Sequence, residues 1–129
     1  MLKDHSSSAI VAVSDMDRAR RFYEGLLGLR LVDDSMGEVV VFATGATHLV
    51  VYRSDEAGTN RANAAVWGVG DEIEAIVAGL RGKGVVFDRY DMDGVEFADG
   101  LHRVGDFRMA WFKDPDGNIL HLFGGAGAG

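Results

Sequence analysis

The chain has 129 residues, of which 47% are hydrophobic, and a formal net charge of -7. This length predicts one domain with a buried core. The acidic balance excludes a phosphate-tracking nucleic-acid binder, which needs clustered Lys and Arg. The absence of cysteine excludes disulfides and thiolate chemistry. No apolar stretch approaches the ~20 residues that span a bilayer, and residues 1–8 lack the apolar segment of a secretory signal. We therefore expect a cytoplasmic protein that binds neither membrane nor nucleic acid.

The first half of the chain has the pattern of one strand, one helix and three further strands. Residues 9–13 predict a strand, and Ser14 with Asp17 predicts the cap of a helix. The apolar side chains at helical spacing are Met16, Ala19, Phe22, Tyr23, Leu26 and Leu27. Further strands are predicted at 29–32, 38–43 and 47–53. Short polar turns join these strands and favour antiparallel pairing.

The second half repeats this order at a spacing of roughly fifty residues, which indicates an internal duplication. Residues 63–69 predict a strand, and Asp71 with Glu74 predicts the cap of a second helix. Further strands are predicted at 85–90, 106–113 and 118–123. Residues 91–105 are predicted to be a long loop, of the kind that forms lids or binding loops. Between the last two strands, Asp114-Pro115-Asp116-Gly117 favours a tight turn because proline and glycine suit its backbone angles.

These patterns predict an α+β fold of two paired βαβββ modules. Module 1 spans about residues 8–53, a linker spans 54–62, and module 2 spans about 63–123. The Gly- and Ala-rich tail at 124–129 is predicted to be flexible. Each module has a mixed sheet with a helix on one face only, so the other face must be buried by another element. We expect the two curled sheets to face each other and to form a cavity.

Two segments resemble motifs of the vicinal-oxygen-chelate superfamily, which includes glyoxalase I, extradiol dioxygenases and bleomycin-resistance proteins. The first runs from Val13 to Tyr23 and continues with Leu27-Gly28-Leu29, like the family's signature for its first strand and helix. The second is the predicted hairpin at residues 110–123. With the duplication, the resemblance covers about residues 8–123. It implies paired βαβββ modules and a homodimer.

Metalloenzymes of this superfamily carry one metal ligand on the first strand and one on the last strand of each module. The resemblance places these four positions at Ser8, Val50, Ala64 and His121. Asn63 is the alternative to Ala64. A divalent metal needs about three imidazole or carboxylate ligands, which this set does not supply. The resemblance thus implies no cofactor, unless His48, His121 and a carboxylate of residues 91–105 form a relocated site for a divalent metal.

Strand alternation predicts the side chains that line the cavity. On the last strand, His121 and Phe123 share one face, and on the fourth strand His48 and Tyr52 do so. The candidate ligand-binding residues are Ser8, His48, Val50, Tyr52, Asn63, Ala64, Val66, His102, Trp111, His121 and Phe123. Apolar walls with a few hydrogen-bonding groups are typical of small-molecule pockets.

The sequence favours three classes of function. The first is a metal-independent binding protein of the bleomycin-resistance type, which sequesters or carries a small hydrophobic or aromatic molecule and can give antibiotic resistance. The second is an enzyme of the superfamily, a lyase, isomerase or dioxygenase. It would use the relocated metal or His121 as general base, since histidine titrates near neutral pH. The third is a structural or regulatory dimer with a filled cavity.

Overall fold

A computed structural model describes residues 1–125 of the chain. Its elements are β1 (Ala9–Val13), α1 (Met16–Arg20), a π-helical turn (Arg21–Leu26), β2 (Arg30–Asp33), β3 (Val39–Thr44), β4 (Thr47–Arg53), β5 (Asn63–Gly70), α2 (Ile73–Gly82), β6 (Glu96–Ala98), β7 (Leu101–Val104), β8 (Phe107–Lys113) and β9 (Ile119–Gly125). Contacts divide the chain into two compact units. The first unit is residues 1–64 with 114–118, and the second is residues 65–113 with the chain from Ile119 onward. Within residues 1–125, no helix is long and apolar enough to cross a membrane.

The first unit contains a four-stranded sheet in the order β1-β4-β3-β2. Strand β1 runs parallel to β4, and the other neighbours are antiparallel, so the sheet is mixed, as predicted. Alternate side chains on one face are fully buried: Val11, Val13, Val40, Phe42, Leu49 and Val51. Ala19 and Tyr23 of the helical segment are buried with them, and the Tyr23 and Phe42 rings lie 6.3 Å apart. The predicted helical stripe therefore supplies part of this core.

The observed N-cap of the first helix lies one residue after the predicted cap. The N-cap is Asp15, whose carboxylate accepts a hydrogen bond of 3.0 Å from the Arg18 backbone N–H. Ser14 is not the cap because its hydroxyl donates to the Asp116 carboxylate instead, at 2.6 Å. The predicted cap of the second helix is also wrong. The N-cap of α2 is Glu72, which makes no side-chain capping bond.

The second unit contains a five-stranded sheet in the order β5-β9-β8-β7-β6. Its core is built from one face of the last two strands and one face of α2: Ala110, Phe112, Leu120, Leu122, Ile73 and Val77. Most predicted strands agree with the observed ones to within one or two residues at each end. Strand β9 continues to Gly125, so Gly124 and Gly125 are strand residues and not part of a flexible tail. The rest of the predicted tail, 126–129, lies outside the described residues.

The predicted strand at 85–90 is wrong. This segment makes a single bridge, between Phe87 and Phe112, and one further bond from the Asp88 N–H to the Trp111 carbonyl at 2.8 Å. Strand β7 pairs with β8 from Val104 to His102, and β9 occupies the opposite edge of β8 along its whole length. Only a short stretch of β8 is thus left for residues 85–90 to pair with.

The segment 91–105 contains the hairpin β6–β7, so the prediction that it is a loop throughout is wrong. Ala98 and Leu101 pair across a two-residue turn formed by Asp99 and Gly100. Both turn residues have positive φ, 55° and 83°. A two-residue turn with two positive φ angles is the type that Asp-Gly favours. The dipeptide therefore explains why this segment folds back as a hairpin.

Candidate functional site

The second unit has a layer of rings on the sheet face opposite its core, called the aromatic face here: Phe97, His102, Trp111, His121 and Phe123. The strand registers place them on one side, because Phe97 pairs with His102 and Trp111 pairs with His121. The flanking residues Ala110 and Leu122 point the other way and are buried in the core. The structure thus confirms the prediction that His121 and Phe123 share a face.

The rings of the aromatic face touch in a continuous series. Trp111 stacks on His121 with ring centroids 4.4 Å apart and an angle of 19° between the planes. His102 meets Trp111 edge-on at 5.0 Å, and Phe97 meets His102 at 4.8 Å. Phe123 lies 6.2 Å from His121 on the far side. Except for His102, these side chains are half-buried, so their outer edges are available to a ligand.

The His121 imidazole is held in one tautomer by the neighbouring strand. Its Nδ1 lies 3.0 Å from the Ala110 carbonyl oxygen. A carbonyl only accepts, so Nδ1 carries the hydrogen and Nε2 keeps a lone pair. Burial lowers the pKa of His121, the Ala110 bond opposes this, and the nearby His102 lowers the pKa further. His121 is therefore neutral at pH 7 and offers an acceptor from the aromatic face.

His102 is a buried strand residue, although the sequence placed it in a loop. It is fully buried on β7. Its Nε2 accepts a hydrogen bond of 2.9 Å from the Tyr90 backbone N–H, and the Tyr90 ring lies 6.1 Å away. Burial lowers the pKa of His102, and the nearby backbone groups of Met109 and Tyr90 offset this in part. His102 thus packs edge-on against Trp111 and, being fully buried, is closed to a ligand.

These two histidines predict acid sensitivity. The folded state lowers the pKa of both His102 and His121, so below the unfolded value of about 6.5 the unfolded chain binds protons first. We expect the two neutral histidines to contribute their full stabilisation above that pH. The free energy of unfolding should fall as the pH drops below it. Urea unfolding of wild type and His121→Phe between pH 7.5 and 5 measures this. The variant should show a shallower fall, whereas His5→Gln, at an exposed position, should match wild type.

The first unit presents the other predicted residues except Val66, which belongs to the second unit. Ile10 pairs with Val50 and Ala12 pairs with Tyr52, on the sheet face away from the core. Three candidate residues, Tyr52, Asn63 and Ala64, line one pocket of about 300 Å³. Ser8, His48 and Val66 are exposed. The sequence did not single out the other polar residues of this pocket: Glu56, Thr59, Asn60 and Asn118.

A buried hydrogen-bond network fixes the turn residues of the first unit. The Asp114 carboxylate, 5% exposed, accepts from the Tyr23 hydroxyl at 2.6 Å and from the Asp116 N–H at 3.0 Å. It also accepts from the Asn118 backbone and side-chain amides, both at 2.8 Å. Burial, followed by the Asp114 charge, raises the pKa of Tyr23, which keeps its hydroxyl a donor. The network therefore orients the Asn118 amide.

The four positions that the family uses for metal do not fit a metal here. They hold Ser8, Val50, Ala64 and His121, which together offer one hydroxyl and one imidazole. Divalent metals prefer several imidazole or carboxylate ligands. Within the described range, 1–125, no group of three or more His, Asp or Glu side chains is arranged to hold an ion. The relocated site of His48, His121 and a carboxylate of residues 91–105 stays a prediction, because His48 lies in the first unit and the other residues lie in the second.

The fold defines a class of protein. A sequence model of the Glyoxalase/Bleomycin resistance protein/Dioxygenase superfamily matches residues 5–122. The chain belongs to this superfamily, which confirms the resemblance read from its two motifs. No curated protein matches the chain significantly.

Solved structures confirm the predicted fold. A lactoylglutathione lyase from Agrobacterium tumefaciens has a TM-score of 0.72 at 17% identity, over 97% of this chain and 96% of that chain. The fosfomycin resistance protein FosX from Mesorhizobium loti has a TM-score of 0.68 at 18% identity, over 98% and 95%. A glyoxalase/bleomycin resistance protein/dioxygenase from Alicyclobacillus acidocaldarius has a TM-score of 0.69 at 17% identity, over 97% and 95%. At these identities the likeness establishes the fold alone.

Proposed function

We propose that this chain is a metal-independent binding protein for small aromatic molecules, of the bleomycin-resistance type. The observation that carries the proposal is the half-exposed, stacked pair of Trp111 and His121 at the centre of the aromatic face. Large rigid rings bury much area at little entropic cost, and aromatic pairs add about 0.5–1.5 kcal/mol beyond that burial. An aromatic ligand would gain both contributions by packing against these two rings.

The aromatic face also offers a polar contact that would orient the ligand. The Nε2 lone pair of His121 has no partner within residues 1–125, because only Nδ1 is bonded. An apolar surface with a small number of placed hydrogen-bonding groups is what small-molecule sites use for orientation. The expected ligand is therefore an aromatic compound with a hydroxyl or N–H group.

The proposal includes a setting for this binding. We place the protein in the cytoplasm as a homodimer that sequesters or carries its ligand, in line with antibiotic resistance as one biological role. FosX, a fosfomycin resistance protein by name, shares the fold.

For the dimer, the support is exposed apolar side chains on outer strands of the two sheets. Ile10 on β1 is 59% exposed and Val66 on β5 is 56% exposed, and sedimentation of Ile10→Lys and Val66→Lys tests their part.

Replacing Trp111 with alanine is expected to weaken binding of 2-naphthol about tenfold or more, because the variant loses the central ring of the aromatic face. Isothermal titration gives the affinity, and the two indole N–H signals in an NMR spectrum report which tryptophan the ligand meets. The Trp111 signal should shift more than that of Trp67. Trp67→Phe is the matched control and should bind as wild type does.

The same titration tests the other parts of the proposal. Dialysis against a chelator should leave the affinity unchanged, and a loss of binding would contradict metal independence. Equal affinity in Trp111→Ala and wild type would contradict the assignment of the aromatic face. Cyclohexanol, a non-aromatic alcohol, should bind much more weakly than 2-naphthol. Chemical conversion of the probe, followed in the same spectra, would instead support an enzyme with His121 as general base.

A further inference from the structure

The pocket of the first unit has a polar lining that the aromatic face does not share. Its volume is about 300 Å³. Its lining residues are Ile10, Val11, Ala12, Tyr52, Glu56, Gly58, Thr59, Asn60, Asn63, Ala64 and Asn118. All of them belong to the first unit. Apolar walls come from Ile10, Val11, Ala12 and Ala64, and oxygen and nitrogen atoms come from the side chains of Tyr52, Glu56, Thr59, Asn60, Asn63 and Asn118.

Asn118 supplies an acceptor with a fixed orientation. The residue is 4% exposed. Its Nδ2 donates to the Ala12 carbonyl and to the Asp114 carboxylate, both at 2.8 Å. These two bonds use both amide hydrogens. If the amide rotated by 180°, its Oδ1 would face these two oxygen acceptors and could bond to neither. Its Oδ1 has no donor among residues 1–125 and is not one of the fully buried side-chain atoms that lack a partner there. Because this oxygen keeps access to the pocket, it can accept a hydrogen bond from a ligand.

The other uncommitted groups of the pocket also favour a donor. The Glu56 carboxylate only accepts, and it makes no side-chain bond within the described part of the chain, where Glu56 bonds through its backbone. The Tyr52 hydroxyl and the Asn63 amide likewise have no side-chain partner there. No Lys or Arg is among the lining residues, and the chain carries a net charge of -7, which raises the local concentration of cations.

We propose that this pocket binds a small primary amine in its ammonium form. An ammonium group has three donors and no acceptor. It would satisfy Asn118 Oδ1 and neutralise Glu56, while the carbon skeleton packs against Ile10, Ala12 and Ala64. A bond to a charged group is stronger than a neutral one, so the charge should decide the selectivity. This site is separate from the aromatic face and does not rest on the function proposed for it.

Benzylamine and benzyl alcohol test the proposal, since they differ mainly in the ammonium group. At pH 7.5 we expect benzylamine to bind at least about tenfold more tightly than the alcohol, because hydrogen bonds to a charged group are stronger than neutral ones. NMR titration of the intact chain measures both affinities. The side-chain NH₂ signals of Asn118 and Asn63 should shift with benzylamine. Asn118 itself is left unchanged because it belongs to the buried network.

Variants separate the pocket from general attraction of a cation to an acidic protein. Glu56 is exposed, so Glu56→Gln should fold normally and lose most of the preference for the amine. Glu38→Gln removes the same charge from an exposed residue outside the pocket and should keep the affinity within about twofold. Equal losses in the two variants would overturn the proposal. Equal affinities for the amine and the alcohol would also overturn it. So would a titration in which the side-chain NH₂ signals of Asn118 and Asn63 do not shift.

Discussion

Asp114→Ala is expected to lower the free energy of unfolding by about 4 kcal/mol or more. The wild-type carboxylate is buried and accepts four hydrogen bonds, from Tyr23, the Asp116 backbone and the two Asn118 groups. The alanine would leave the buried Tyr23 hydroxyl and the Asn118 amides without their acceptor. Urea unfolding at pH 7, followed by circular dichroism, measures the change.

Two further variants keep this prediction testable if Asp114→Ala does not fold. Tyr23→Phe removes one donor and leaves the carboxylate with its other three bonds, so we expect a smaller loss of about 1–2 kcal/mol. Asp55→Ala removes an exposed carboxylate whose ion pair with Arg53 lies at the surface, and surface pairs contribute little. A loss below about 1 kcal/mol for Asp114→Ala would show that the buried network does not stabilise the fold.

Gly124→Ala is expected to cost about 3 kcal/mol or more, at the upper end of the range for overpacking. A Cβ at this position would collide with the backbone carbonyl of Gly70, and backbone cannot move aside as a flexible side chain can. Thermal unfolding should show a clear drop in midpoint. The measurement also separates the structure from the sequence-based expectation, since a flexible tail at 124 would tolerate alanine.

Gly79→Ala is the matched control for this prediction. Gly79 lies inside α2, and a Cβ there would meet nothing within 4 Å. Alanine in a helix interior is favoured over glycine by about 0.5–1 kcal/mol, so this variant should be as stable as wild type or more so. If Gly124→Ala and Gly79→Ala unfold alike, the close approach of Gly124 to Gly70 is contradicted.

Sequence periodicity was sufficient for most of the fold. Alternation along 119–123 predicted the face shared by His121 and Phe123, because alternation depends only on local backbone geometry. It failed at 85–90, where the apolar pattern suited a strand but β7 already pairs with the first three residues of β8, Phe107 to Met109. It also failed at 91–105, where length suggested a loop although Asp99-Gly100 carried a hairpin signal.

The site was predicted only in part because burial and bonding are properties of the tertiary fold. Trp111 and His121 followed from strand alternation. The packing of Tyr90 and Phe97 against His102 did not follow from alternation, because it depends on the β6–β7 hairpin that carries His102. The role of Asn118 could not be read from its position after a turn. Its free oxygen becomes apparent only when Ala12 and Asp114 are seen to take both amide hydrogens.

The bond between His121 and the Ala110 carbonyl has a consequence for chemical selectivity. The only N–H hydrogen of the neutral ring is bonded to the backbone. The imidazole can therefore only accept a hydrogen bond from an incoming molecule, through Nε2. A phenol can satisfy this acceptor and the corresponding anisole cannot. Under the proposed function, methylating one oxygen of a ligand would thus be enough to prevent its binding, with no change in its ring.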